Sequence, residues 1–155
     1  MIDLAQVARA HRKFYEANVR MMDSAARTAS KVAKDHQRTK AKFKRRTGRT
    51  AKAASARIFR TKRGRRIRIT NRSKTRDGKP LALFLEGGTR PHIITARRAR
   101  VLRFFWRKAG RVVFRYRVRH PGTPAYHFIR ASAEAASDAT EKELRREMTQ
   151  LARQF

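Results

Sequence analysis

Between residues 2 and about 37, apolar and aromatic side chains recur mostly at three- and four-residue steps: Leu4, Val7, Ala8, His11, Phe14, Tyr15, Met21, Met22, Ala25, Ala29, Val32 and Ala33. No Gly or Pro interrupts them, so the pattern predicts one long amphipathic helix. Such a helix would run roughly 50 Å at 1.5 Å per residue. That exceeds what a domain of this size can cover, so part of it is expected to bend, fray or meet another subunit. A second helical stretch closes the chain. Phe128, Ile129, Ala133 and Ala136 lead into a stripe of Leu144, Met148, Leu151 and Phe155, with acids from Glu134 to Glu147 on the other side. Thr123 can cap this helix and Pro124 suits its first turn, which places it at about 125–153.

The middle of the chain changes period. RIFRT and RRIRITN flank a KRG turn at Gly64 and predict a hairpin over 57–72. Residues 111–119 alternate strictly. Val112, Phe114, Tyr116 and Val118 point one way, while Arg111, Val113, Arg115, Arg117 and Arg119 point the other. A half-buried strand follows, with its apolar side on the core and successive open-face arginines about 7 Å apart. LALFLE, residues 81–86, is too short for periodicity to choose between a strand and a helical turn. Thr47-Gly48 looks like a break, with a short helix over about 49–56, and Asp77-Gly78 with Pro80 marks a loop.

Together these elements predict one α+β domain. An N-terminal helix over 1–37 leads into a basic linker and short helix over 38–56. A small, mostly antiparallel sheet over 57–124 and a C-terminal helix over 125–155 follow. Phe128, Ile129, Leu144 and Met148 are expected to pack against Val112, Phe114 and Tyr116 on the sheet.

Charge changes the picture. The chain carries 42 Lys and Arg against 11 Asp and Glu, a net of +31 over 155 residues. Almost all the excess sits in residues 36–133, whose only acids are Asp77 and Glu86. A segment so charged repels itself and calls for a polyanion or an acidic partner. Arg66 and Arg68 on the hairpin, with Arg111, Arg115, Arg117 and Arg119 on the alternating strand, are the candidate contacts to DNA or to an acidic protein.

Other chemistry finds little footing. With no cysteine there are no disulfides and no thiolate metal sites. His92, His120 and His127 lack metal-ligand spacing and neighbouring carboxylates. Two acids in the basic segment fall short of a two-metal nuclease centre, so no catalytic, cofactor or metal residues are expected. Gly87-Gly88 fits neither a P-loop nor a dinucleotide fingerprint. No apolar run approaches the roughly 18 residues of a membrane span. Met1 to Met22 is amphipathic and broken by charge, so no signal peptide is expected and an intracellular setting is the default.

Two motif blocks carry more information. EGGTRPHI contains Glu86, Gly88, Thr89, Pro91, His92 and Ile93, and HPGTPAYHF contains His120, Pro121, Gly122 and Phe128. In order and spacing, and with Thr47-Gly48 ahead of them, they resemble the tail-completion or neck (head–tail joining) proteins of long-tailed bacteriophages over roughly residues 40–135. Gly87 stands where that family usually has an aromatic residue. The resemblance implies a non-enzymatic virion subunit, assembled in the host cytoplasm. It would form a ring with itself, usually of six copies, around the DNA channel, between the tail terminator and the head-closure or adaptor proteins. Glu86 would then be a structural acid, paired with Arg90 or with an Arg of a neighbouring copy. Composition alone suits a second reading, a free-standing basic nucleic-acid-binding protein of nucleoid or ribosomal type. A third, an enzyme acting on nucleic acid, would show itself by metal-dependent cleavage.

Overall fold

The computed structural model describes residues 3–43, 47–97 and 99–153. Helix α1 spans Leu4–Thr39. It starts at Asp3, whose carboxylate accepts from the Ala5 N–H at 2.9 Å, and ends with His36 and Arg38 near the negative end of its dipole. Helix α4, Phe128–Ala152, runs antiparallel to it. Ser24 meets Glu143 at one end of the pair and Gln37 meets Ser132 at the other.

The facing residues are small. Ala29, Ala33 and Ala136 form one buried cluster with Ala56 of the first hairpin, and Ile67 and Ile69 close it. Alanine and serine let two helix backbones approach closely, which explains why the residues buried between positions 25 and 33 are all small: Ala25, Ala26, Ala29, Ser30 and Ala33. The fully buried Gln37 is satisfied inside this packing. It accepts from the Asn71 amide at 2.9 Å and donates to the Ser132 hydroxyl at 3.5 Å. The same Asn71 amide donates to the Thr50 carbonyl at 2.8 Å. One polar node thus fixes α1, α4 and the end of the hairpin against each other. Residues 4–16 of α1 remain exposed, an overhang of roughly 20 Å.

The sequence expectation of an α+β fold, with a long N-terminal helix, a C-terminal helix and antiparallel strands, is what the structure has. Among the described residues its strands form three two-stranded antiparallel ribbons rather than one sheet. Strands β1 (Ala54–Thr61) and β2 (Gly64–Asn71) make the hairpin, turning at Lys62-Arg63. Helix α2 is a single turn, Arg49–Lys52, because β1 already begins at Ala54. LALFLE resolves as helix α3, Leu81–Gly87. Strand β3 (His92–Thr95) pairs with β6 (Arg117–His120), and β4 (Leu102–Trp106) pairs with β5 (Arg111–Arg115).

The strand expected over 111–119 is therefore two strands. Its β5 part stays in register with β4 as far as Arg115, and the chain bends at Tyr116 to join β3 at Arg117. In the β5 half the orientation is also reversed, whereas in β6 Val118 is half-buried and Arg117 and Arg119 are exposed, as expected. Val113 is buried, whereas Val112, Phe114 and Tyr116 are 41%, 55% and 78% exposed. Alternation separates two faces but does not say which one is covered. Helix α4 packs on α1 and β2 instead of on this ribbon. Of the expected helix contacts, Phe128 is buried against Phe43 and Ala82, Ile129 and Leu144 are half-buried, and Met148 is exposed.

Candidate functional site

Helix α3 ends in a corner where the two motif blocks meet. Past Gly87 the chain reverses at Gly88, which has φ +69°. Thr89 then pairs with Thr123: its N–H donates to the Thr123 carbonyl at 2.9 Å, and the Thr123 N–H donates back at 3.1 Å. The crossing leaves no room for side chains on the glycines. A Cβ on Gly88 would lie 2.5 Å from the Thr123 oxygen, and one on Gly122, with φ +90°, would run into the Thr89 oxygen. Each block thus supplies the glycine that the other block's backbone requires.

The strand ends continue the pairing. His92 and His120 are register partners with ring centroids 5.0 Å apart. The His120 Nδ1 accepts from the Gly122 N–H at 3.0 Å, and the His92 Nδ1 donates to the Arg90 carbonyl at 2.8 Å. Pro91 and Pro121 flank this pair just outside the ribbon, where the missing N–H breaks no ladder bond.

Within the chain Glu86 is held differently from one of the two expected ways. Its partners are backbone amides rather than Arg90. The Oε2 atom accepts from the Ile129 N–H at 2.7 Å and Oε1 from the Arg130 N–H at 3.0 Å. Helix α4 needs this help. Its N-cap residue, His127, has φ +47° and supplies no side-chain cap, while Thr123, whose backbone is tied to Thr89, lies too early to cap it. The half-buried carboxylate satisfies two orphan amides and meets the positive end of the helix dipole. Backbone bonds from Tyr126 to Leu85 at 2.9 Å and from His127 to Glu86 at 3.3 Å lock the two segments in place. A lone acid in a basic segment is thus explained by the helix start that it caps.

The basic residues form no single face. Arg66 and Arg68 lie on the outer side of the β1–β2 hairpin, Arg111 and Arg115 on β5, and Arg117 and Arg119 on β6, all exposed. Acids pair elsewhere: Asp3 with Arg9, Glu16 with Arg20, Glu134 with Arg130, Glu141 with Arg145, and Glu143 and Glu147 with Arg146. Asp23 holds Arg65 at 2.5 Å and Arg60 at 4.0 Å. The hydrogen bond and charge of Arg65 keep the Asp23 carboxyl below its usual range, and Asp23 in turn pushes the Arg65 guanidinium up. Among the described residues, none of the six candidate arginines has a carboxylate partner.

Sequence reasoning missed Arg57 and Phe59. Register places Arg57 directly opposite Arg68 and Phe59 opposite Arg66. Counting outward from the two-residue turn would have found both pairs. Among the described residues no three His, Asp or Glu side chains gather as metal ligands. The chain matches no family model, no curated protein and no solved structure. The resemblance drawn from the two motif blocks therefore rests on the sequence alone.

Proposed function

We propose that the chain is a structural subunit of the neck of a long-tailed bacteriophage. It would assemble into a ring that completes the tail and surrounds the DNA channel, meeting the tail terminator on one side and head-closure or adaptor proteins on the other. The observation that supports this best is the meeting of the two motif blocks at Thr89 and Thr123, 34 residues apart in sequence. Glu86, Gly88, Gly122, His92 and His120 each have a structural task in that corner, as the parts of one unit should.

Assembly has its own support. Large apolar side chains lie open on the α1 overhang, with Leu4 at 80% and Tyr15 at 64%, and on the β4–β5 ribbon, with Phe105 at 60%. A two-stranded ribbon is marginal on its own, and clustered exposed apolar residues mark an interaction surface.

The arginines without carboxylate partners favour a second reading, a free-standing nucleic-acid-binding protein. Mass measurement in high salt separates the two. A closed oligomer, and incorporation into phage particles, is the expected result; a monomer that binds DNA tightly and in a salt-sensitive way would replace the neck reading with the second one.

A further inference from the structure

We propose that the outer face of the β1–β2 hairpin is a binding surface for the phosphate backbone of nucleic acid, formed by Arg57, Arg66 and Arg68 around Phe59. The register fixes this face. Ala56, Ile67 and Ile69 lie on the inner side against the helices, so Arg57, Phe59, Arg66 and Arg68 share the side that faces solvent, and all four are exposed. Arg57 and Arg68 are direct cross-strand partners. Like charges in that position repel.

Nothing on the hairpin relieves them. Residues 54–71 contain no acid. Asp23, the carboxylate that does ion-pair with the hairpin, belongs to the opposite face, where Arg65 and Arg60 hold it. The Arg68 guanidinium sits over the Phe59 ring, 5.0 Å from its centroid. That contact orients the guanidinium without neutralising it. The result is a group of three cations on one face of the hairpin.

Phosphate suits this group better than a protein surface does. Arg66 and Arg68 stand about 7 Å apart along β2, at 3.4 Å per residue. A DNA strand offers one phosphate per 3.4 Å of rise, so a charge is always within reach of each guanidinium, which can bind it bidentately. The core of a protein interface admits Arg but is built around open apolar and aromatic side chains. Here the one aromatic ring lies beneath a cation. The β4–β5 ribbon is the contrast, because the exposed Phe105, Val112 and Phe114 share a face there with Arg103, while Arg111 and Arg115 lie on the other side with Val113. This assignment locates a DNA contact whether the chain works in a ring or alone, and its test does not depend on assembly.

The test uses the full chain and a short, fluorescently labelled DNA duplex of mixed sequence, titrated across a range of salt. The variant Arg57→Gln/Arg66→Gln/Arg68→Gln should lower the log–log salt slope by roughly 2 to 3, close to 0.9 for each phosphate no longer neutralised. Replacing the same three residues with Lys should keep most of the slope. The matched variant Arg111→Gln/Arg115→Gln/Arg119→Gln should change it less. Because the Gln variant relieves repulsion on an exposed face, its thermal midpoint should not fall, and circular dichroism checks that it stays folded. A folded hairpin variant with an unchanged slope overturns the proposal. So does polyglutamate that competes as well as unlabelled DNA, since that would mean attraction to any polyanion.

Discussion

Glu86 caps a helix that begins far from it in sequence: its carboxylate accepts from the N–H of Ile129, 43 residues further along, at 2.7 Å, and from that of Arg130 at 3.0 Å. Removing the carboxylate leaves two amides at the start of α4 without a partner. Glu86→Ala should lower stability by about 1–2 kcal/mol, as for loss of a good N-cap with a favourable dipole contact. Glu86→Gln keeps an acceptor and should cost less. Urea unfolding with an unchanged m-value measures both. A loss for Glu86→Ala within the ~0.5 kcal/mol of an ordinary surface substitution would mean that water caps the helix equally well.

The adjacent glycines should behave oppositely. Gly87 lies in α3, and a Cβ added there would have nothing within 4 Å, so Gly87→Ala should be neutral or stabilising by up to about 1 kcal/mol. Gly88→Ala meets the Thr123 oxygen at 2.5 Å and needs a left-handed backbone, so it should cost well over about 1 kcal/mol. Gly122→Ala should resemble Gly88→Ala. Thermal unfolding of the three single variants ranks them. Equal effects at 87 and 88 would show that the corner is looser than its hydrogen bonds suggest.

These positions also show where sequence reading reaches its limit. The long helix is legible because its pattern repeats over many turns, and the hairpin because Gly64 and alternation agree. The corner is legible as a motif but not as a mechanism, since the partner of Glu86 is a helix start brought to it by tertiary approach. The covered face of β5 is hidden for a related reason. Alternation places Val113 opposite Val112 and Phe114, but burial depends on which ribbon side the rest of the chain covers. The break at Tyr116 leaves no local signal either, because both halves keep the same alternation. The helix–helix seam is faint because it is built from Ala25, Ala29, Ala33 and Ala136, which give little hydrophobic contrast.

Acid should weaken the fold through Asp23. With the carboxyl held below its ordinary value of 3.8 by the Arg65 hydrogen bond and charge, the folded protein binds this proton less readily than the unfolded chain. The stabilisation is therefore complete above that ordinary value and is lost as the pH falls through the lower folded value. Thermal midpoints followed from about pH 5 down to about pH 2 should drop, and Asp23→Asn should flatten part of that drop. An identical acid limb in the variant would remove Asp23 from the account.

Two phenylalanines separate folding from assembly. Phe128 is 2% exposed and packs edge-on against Phe43, with ring centroids 5.2 Å apart. Truncating it to Ala should cost about 3–5 kcal/mol. Phe114 is 55% exposed, so Phe114→Ala should change the stability of the single chain by no more than about 0.5 kcal/mol. On the neck reading, however, the open face shared by Phe105 and Phe114 is covered by another copy. Phe105→Glu should then leave the thermal unfolding of the monomer nearly unchanged while shifting the mass distribution in high salt from closed oligomer to monomer. A burial cost at Phe114 as large as that at Phe128 would place the cover within the chain itself. An intact oligomer in the Phe105→Glu variant would move the contact between copies to another surface, with the exposed Leu4, Val7 and Tyr15 of the α1 overhang next in line.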